Sequence, residues 1–577
     1  MKHYPNVRSI IKTTLLSNKA LVFVIALVCL VGAVLPAFTP LIYADIIDVF
    51  IPKQDTARMF VYVGLLILIP VLTSLVFNLR NVLSFRLCDA VTRKMRMALM
   101  KKAIHMPIED YDSWGENAIA YRVTRSCGQV GEVFLNETIL SLIGAILSLL
   151  SVLIPMFILN WQMALVSLIS LPVLYFVMRI IRKKVLERDQ ALFDTLMTGE
   201  EDIHEVLAGM REVRLFGGEE RVCKRFADWL RKHTKSKTAS VSVHEFDRVT
   251  LPELCLQTLY GLILVLGAVL VARDTITIGV LVAFIAYVPR SFAGIKELLG
   301  IQVNMKSIEP AMQSIEEILA TEDEKNGRIL GLAADKTLCY KNVSFSYKDN
   351  PFAIKNVSFD VQAGEALAIV GETGGGKSTL LQLLLRMYHP TEGEITLGGN
   401  PIEEYDLDEY RKQFGVVGQS HFLWASSVVD NIIWPESSVD TGAFRSAVQR
   451  AQLSHFVEAL PNKEETMLGE RGQSVSGGER QRLSFAHALY ADREFLVLDE
   501  PTAALDANTA EAITGEILKL KGEKTIIAVT HHLSTILAYD KVLVIKDGAV
   551  VETGTPRALW KQEGVFREMC EKQGIQL

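Results

Sequence analysis

The stretch Ala366-Leu-Ala-Ile-Val-Gly371-Glu-Thr-Gly-Gly-Gly-Lys377-Ser378-Thr-Leu-Leu-Gln-Leu-Leu-Leu-Arg386 decides the fold of the C-terminal half. It opens on a short apolar run, which predicts a buried strand, and closes on leucines at helical spacing. Between them lies a glycine-rich turn. Strand, glycine turn and helix in that order are the context of a phosphate-binding loop. Gly371, Gly374, Gly375 and Gly376 let backbone N–H groups close around phosphate oxygens, and the helix N-terminus adds its positive end. Lys377 is placed to neutralise the β- and γ-phosphates of ATP, and the Ser378 hydroxyl is placed to bind Mg²⁺. Thr373 and Thr379 flank these groups on the same loop.

A second apolar run, Phe495-Leu-Val-Leu-Asp499-Glu500, ends in two carboxylates. Alone it says little, because strands often end in solvated acids. Beside a phosphate loop it predicts chemistry: Asp499 holds Mg²⁺, and Glu500 polarises the attacking water as general base.

Outward from this pair, polarity changes near residue 320. Before it lie six apolar runs of spanning length, at about 20–46, 59–80, 137–159, 162–181, 251–272 and 279–300. A span needs roughly 20 such residues. Arg80, Arg86, Arg93, Lys94 and Arg96 follow the second run, and Arg179, Arg182, Lys183 and Lys184 follow the fourth. The opposite loops are short and poor in Lys and Arg. This asymmetry predicts a multi-pass protein of the cytoplasmic (inner) membrane with the N-terminus and the C-terminal domain in the cytoplasm. Composition agrees: half of the 577 residues are hydrophobic, yet 22% are charged. The net charge of −6 argues against nucleic acid as a partner. Seven scattered cysteines without CxxC spacing predict free thiols.

The expected architecture is therefore an all-α six-helix transmembrane domain (1–320) with long cytoplasmic helical extensions. A polar linker (321–335) leads to a cytoplasmic α/β P-loop ATPase domain with a helical subdomain (336–577). The extensions are two long connections, about 81–136 and 182–250. The leader before the first span has Val7, Ile10, Ile11, Leu15 and Leu16 at amphipathic spacing. Val542 to Val551 predicts a hairpin turning on Asp547-Gly548.

Between the phosphate loop and the paired acids stands Val475-Ser-Gly-Gly-Glu479, followed by Arg480-Gln481-Arg482. The three motifs in this order resemble the nucleotide-binding domain of ABC transporters, and six spans ahead of them resemble an exporter half-transporter. The resemblance implies further roles. Tyr347 stacks on adenine. Gln419 is the Q-loop residue, touching Mg²⁺ or water. Ser476, Gly477, Gly478 and Glu479 form the signature, which reaches a γ-phosphate bound on a second half-transporter subunit. Ala504-Leu505-Asp506 is the D-loop, and His531 is the switch histidine, with His532 where the family commonly has Arg. Glu479 stands where Gln is commoner, and Val475, Gly375 and Gly418 where Leu, Ser and Pro are. With Glu500, Ser476 and His531 all present, a homodimer is the default and a heterodimer the alternative. The resemblance implies ATP-driven export of a solute (peptide, lipid or hydrophobic compound) through the lipid bilayer by alternating access, or lipid flipping, or less readily a sensor. It also places coupling helices at Met106 to Asn117 and at Leu207 to Glu219, with Thr466 to Gly472 contacting them.

Polar residues inside spans mark transport pathways by default. Arg290 has two open readings: a cavity group facing the transported solute, or a side chain pairing with a neighbouring helix. Lys296, Asn78 and Gln302 are further pathway candidates. Asp45 and Asp48 are expected to be solvated at the outer end of the first span.

Overall fold

The computed structural model describes residues 4–331, 333–347, 353–469 and 475–576. They divide into a helical unit, residues 4–104 and 115–321, and an α/β unit, residues 105–114 and 322–576.

In the helical unit the first helix, Pro5–Ser17, buries Val7, Ile11 and Thr14 on one stripe and leaves Leu16 exposed. Its first-turn N–H groups are orphans by helix geometry. The buried carboxylate of Glu316 accepts them, from Asn6 at 3.0 Å and Val7 at 2.9 Å.

The first span is not one regular helix. Lys19–Val34 is α-helical, Leu35–Phe38 tightens to a 3₁₀ turn, Thr39–Asp45 is α-helical again and Ile46–Phe50 widens into π-type turns. The cause is local. Pro40 has no N–H to give the Pro36 carbonyl four residues back. Lipid supplies no donor in compensation, so protein must. The helix Ile278–Ala320 does this: the Arg290 guanidinium donates to Pro36 O, and the Tyr287 hydroxyl donates to Ala37 O at 2.6 Å. At the outer end the same two segments meet again. Asp48 accepts the Gly279 N–H at 2.9 Å and the Thr277 hydroxyl. A Cβ on Gly279 would lie 2.3 Å from the Asp48 carboxylate. The expectation of a merely solvated Asp48 is thus corrected: it caps a neighbouring helix.

The second helix, Thr56–His105, has 50 residues. At 1.5 Å per residue it is about 75 Å long, more than twice a ~30 Å hydrocarbon core. The next runs from Glu116 to Leu159. It crosses the second closely at Gly131, where a Cβ would lie 2.0 Å from the Thr92 hydroxyl oxygen. Asn160 breaks the chain and caps Trp161–Ala208 by accepting the N–H groups of Gln162 and Met163. Trp229, on Glu219–Glu245, packs back on that helix. Its indole N–H donates to the Thr195 carbonyl at 2.9 Å, over the bare backbone of Gly199. Among the described residues five helices are long and apolar enough to cross a membrane. The fourth expected run, 162–181, lies in Trp161–Ala208, and many of its side chains, Arg179 included, fall outside the described residues, as does the side chain of Gln302.

The α/β unit holds two sheets. Strands β1 (Leu338–Ser346), β2 (Ala353–Val361), β4 (Glu392–Leu397) and β5 (Asn400–Pro401) form an antiparallel sheet in the order β2-β1-β4-β5. The larger sheet runs β10-β9-β3-β8-β7-β6, from β3 (Ala366–Gly371), β6 (Phe414–Val417), β7 (Phe495–Asp499), β8 (Thr525–Val529), β9 (Lys541–Lys546) and β10 (Ala549–Gly554). It is parallel except for the β9–β10 hairpin. That hairpin turns at Asp547 (φ 51°) and Gly548 (φ 78°), two positive φ values as a tight primed turn requires. Strands β3, β7 and β8 are buried along their whole length, which is why they read as unbroken apolar runs.

Much of the polar run at 321–335 is fastened to this unit. Glu324 forms a two-pronged ion pair with Arg411, at 2.7 and 3.2 Å. The buried Arg386 donates to the carbonyls of Lys325 and Tyr405. Asn326 caps Leu407 N–H at 2.7 Å.

If the Tyr287 hydroxyl satisfies the broken first span, Tyr287→Phe should lower thermal stability in detergent by about 0.5–1.5 kcal/mol, the usual worth of such a bond between membrane helices. An unchanged unfolding midpoint would contradict that role.

Candidate functional site

The site lies at the C-terminal edge of the parallel strands, where open α/β sheets bind ligands. Strand β3 delivers Gly371 at φ 155°, with a would-be Cβ 2.2 Å from the Ile545 carbonyl oxygen, so no side chain fits there. Gly374 (φ 80°) and Gly376 (φ 99°) keep the loop, with Thr373 and Gly375, in a backbone path that other residues resist. The helix Lys377–Leu384 follows. Lys377, its first residue, folds its ammonium back into the loop and donates to the carbonyls of Gly371 (3.1 Å) and Glu372 (2.8 Å). Burial lowers its pKa, while the charges of Glu500 and Asp499 act to raise it.

Asp499 ends β7 and is buried. Burial raises its pKa, opposed by a hydrogen bond with the Ser378 side chain. Its Oδ1 is enclosed and has no hydrogen-bond partner among the described residues. An unpaired, buried carboxylate oxygen beside a serine hydroxyl fits a hard, oxygen-seeking cation such as Mg²⁺.

Glu500 is the next residue and sits at φ 52°, a left-handed backbone that a non-glycine residue adopts at a cost of about 1–2 kcal/mol. Its N–H donates to Val529 O at 2.9 Å. Its Oε1 lies 2.9 Å from Nε2 of His531, which follows β8. The β7–β8 register pairs Asp499 with Val529 and so sets these two side chains across from each other. His532 does not join them: its N–H donates to the Thr530 hydroxyl and its ring is exposed. Tyr347 lies beside the loop helix, its hydroxyl 2.8 Å from Gln382 Oε1 and 3.2 Å from the Thr379 hydroxyl. Gln419 follows β6 and is exposed.

The remaining candidates form a second cluster. Ser476 caps the helix Gly477–Ala491 through a reciprocal box: Glu479 N–H donates to Ser476 Oγ, and Ser476 N–H donates to the Glu479 carboxylate at 2.8 Å. This accounts physically for Glu at position 479. Gly477 and Gly478 lie against Ala504, and a Cβ on Gly478 would be 3.0 Å from its carbonyl oxygen. Asp506 caps Ala507–Lys519 by accepting Thr509 N–H at 3.1 Å, and that bond lowers its pKa. Among the described residues no hydrogen bond or ion pair joins Ser476–Glu479 to the phosphate loop of the same chain. Residues 470–472 of the Thr466 to Gly472 segment lie outside the described residues.

The first expected coupling helix, Met106 to Asn117, falls largely on residues 105–114, which group with the α/β unit. There the short helix Ile108–Trp114 is held by Asp112, which accepts the Tyr388 hydroxyl at 2.7 Å, while His105 O accepts Glu324 N–H. Gln481, quoted only as part of a motif, is buried and bonded to the backbone of Glu500. The second connection turns at Met210–Leu215, and Leu215 and Phe216 are 79% and 85% exposed among the described residues.

Of the pathway candidates, Arg290 is engaged by the Pro36 carbonyl, while Asn78 and Lys296 are exposed. A cleft of about 160 Å³ between the first, second, third and sixth spans is lined by Cys29, Thr73, Arg80, Ser148 and Glu297 among others. Arg80, counted from sequence as an inside charge, is part of its wall.

Residues 22–292 match the family model described as the ABC transporter transmembrane region, and residues 354–503 match that described as ABC transporter. The ATP-dependent lipid A-core flippase 1 of Colwellia psychrerythraea is 30% identical over 497 residues, 83% of this chain and 81% of the relative. The ATP-dependent lipid A-core flippase of Haemophilus influenzae is 30% identical over 493 residues, 84% of this chain and 83% of the relative. This chain belongs to the ABC transporter family. A solved bacterial Atm1-family ABC exporter with ATP bound has the same fold, with a TM-score of 0.85 at 23% identity over 97% of this chain and 99% of that one. The chain is thus an ABC exporter half-transporter: a membrane protein that binds ATP and couples its hydrolysis to transport.

Within this ABC transporter Gly371→Ala should be among the most damaging single changes in the α/β unit, because the obstructing atom is backbone. We expect lost ATP binding, read by fluorescent-nucleotide titration, and an earlier melt. Near-normal affinity would show that the loop can move aside.

Proposed function

We propose that two copies of this chain work together in the cytoplasmic membrane, each completing the other's ATP site, and that their cargo is a lipid moved between leaflets. The observation that carries the first part is that, among the described residues, no hydrogen bond or ion pair joins Ser476–Glu479 to the phosphate loop of the same chain. Lys377, Ser378, Asp499, Glu500 and His531 converge, while Ser476 to Glu479 present a capped helix N-terminus elsewhere on the chain. A helix N-terminus with a serine hydroxyl and two glycines suits a γ-phosphate, and a second copy supplies it. Because Glu500, Ser476 and His531 are all intact, a homodimer has two competent sites; a related half-transporter could take the second place through the same surfaces.

In each site the glycine N–H groups and Lys377 bind the phosphates, and Tyr347 offers its ring to the base. Ser378, Asp499 and Gln419 would hold Mg²⁺, which when bound neutralises phosphate charge. Glu500 takes a proton from the attacking water. With Nε2 2.9 Å away, His531 donates to Glu500 and fixes the direction in which the carboxylate faces. ATP held between two copies stabilises their closed arrangement and biases the spans toward one access state, and hydrolysis releases that bias. Lys and Arg enrichment after the second and fourth spans supports a cytoplasmic ATPase unit.

The lipid assignment rests on the relatives, which are named for lipid A-core flipping. A polar cleft walled by Arg80 and Glu297 is compatible with a charged headgroup. Glu500→Gln should bind ATP normally yet lose at least about 100-fold in turnover, as expected on removing a general base. In proteoliposomes the unsubstituted protein should move a fluorescent lipid between leaflets when given ATP, and Glu500→Gln should not. ATPase stimulation by peptides or drugs alone, with lipid left in place, would overturn the cargo assignment.

A further inference from the structure

Gln481 is one of the most enclosed polar side chains in the α/β unit, at 1% exposure. It lies on the signature helix Gly477–Ala491, between Arg480 and Arg482. Both ends of its amide are used. Nε2 donates to the Glu500 carbonyl at 2.7 Å, and Oε1 accepts the Ala504 N–H at 3.0 Å. The two partners fix which end is which, since a carbonyl needs a donor and an N–H needs an acceptor.

The residue so held is unusual. Glu500 occupies a left-handed backbone, and such conformations persist only where the surroundings over-determine them. Three backbone contacts do so here. Glu500 N–H is tied to Val529 O, and Glu500 O accepts both Ala503 N–H (3.2 Å) and the shorter bond from Gln481. Of these three, only the Gln481 bond comes from a helix. It ties the backbone of the acidic residue to the helix whose N-terminus is Ser476.

We infer that Gln481 is a positioning residue for hydrolysis, holding the Glu500 backbone so that its carboxylate faces the reacting water, and joining that backbone rigidly to the signature helix. The inference rests on the reading of Glu500 as general base. It implies that the helix serving the partner's nucleotide and the carboxylate serving this chain's own nucleotide move as one piece.

The test uses the full-length protein in detergent or nanodiscs. Gln481→Glu keeps an acceptor for Ala504 N–H but replaces the donor to Glu500 O with a repelling oxygen. Gln481→Met keeps the length and loses both bonds. We expect Gln481→Glu to lower kcat about tenfold or more while the KM for ATP stays within about twofold. That loss corresponds to about 1.4 kcal/mol in the barrier. Gln481→Met should lose at least as much. ATP binding and the melting midpoint should stay close to those of the unsubstituted protein. Turnover within twofold of normal in both variants would overturn the inference. So would a loss of kcat that only tracks early melting and weakened ATP binding, since that is a packing role. Glu500→Gln, run alongside, separates the two claims. If it retains turnover, the general-base reading fails; if it is inactive while both Gln481 variants are normal, only the positioning role fails.

Discussion

Parallel pairing of β7 with β8, in the register Asp499 to Val529, sets the spacing on which the ATP site depends. It brings Glu500 and His531 to 2.9 Å although they are 31 residues apart in sequence. Strand β3, paired to β8 on its other edge, delivers the phosphate loop to the same end of the sheet. The chemistry needs no strand to be polar. All three are buried and largely apolar, and they present their reactive groups at or just past their C-terminal ends, Asp499 as the last residue of β7. A slip of one residue between β7 and β8 would turn Glu500 to the wrong face.

A different constraint shapes the membrane part. Lipid supplies no hydrogen bonds, so every break in a span has to be answered by protein. Pro40 of the first span withholds a donor from the Pro36 carbonyl, and the sixth-span helix answers with Arg290 there and with Tyr287 at the adjacent Ala37 carbonyl. At the outer end Asp48 answers the orphan N–H of Gly279. The first and sixth spans are therefore joined by polar bonds at two levels, in a region where apolar packing alone would let helices slide.

The elements read most plainly from sequence were those whose cause is local. Glycines at positive φ, the Asp547-Gly548 turn and the unbroken apolar strands announce themselves within a few residues. The phosphate loop was legible because strand, turn and helix are contiguous. What sequence left unassigned was set by partners far away. Gln481 is one glutamine among polar neighbours until the fold places it under Glu500, 19 residues on. Asp48 reads as a solvated acid until Gly279, 231 residues away, closes on it. The run after Thr321 is polar, as a linker is, but Glu324, Lys325 and Asn326 are fastened by Arg411, Arg386 and Leu407. Grouping of residues 105–114 with the α/β unit was expected only through the family resemblance, which places a coupling helix at Met106 to Asn117; the pairing that holds it runs through Tyr388 and Glu324.

The central claim is that one chain carries two halves of two different ATP sites, and mixed dimers test it most directly. Lys377→Ala spoils the phosphate loop and Ser476→Phe spoils the signature. The measurement is the number of vanadate-trapped ADP molecules per dimer when these changes lie on separate copies and when they lie on one copy opposite an unsubstituted partner. If each site is shared between copies, separate placement spoils the same site twice and leaves one intact, whereas placement on one copy spoils both. One trapped ADP in the first arrangement and none in the second is the predicted result. The reverse pattern would mean that each chain completes its own site, and would contradict the account.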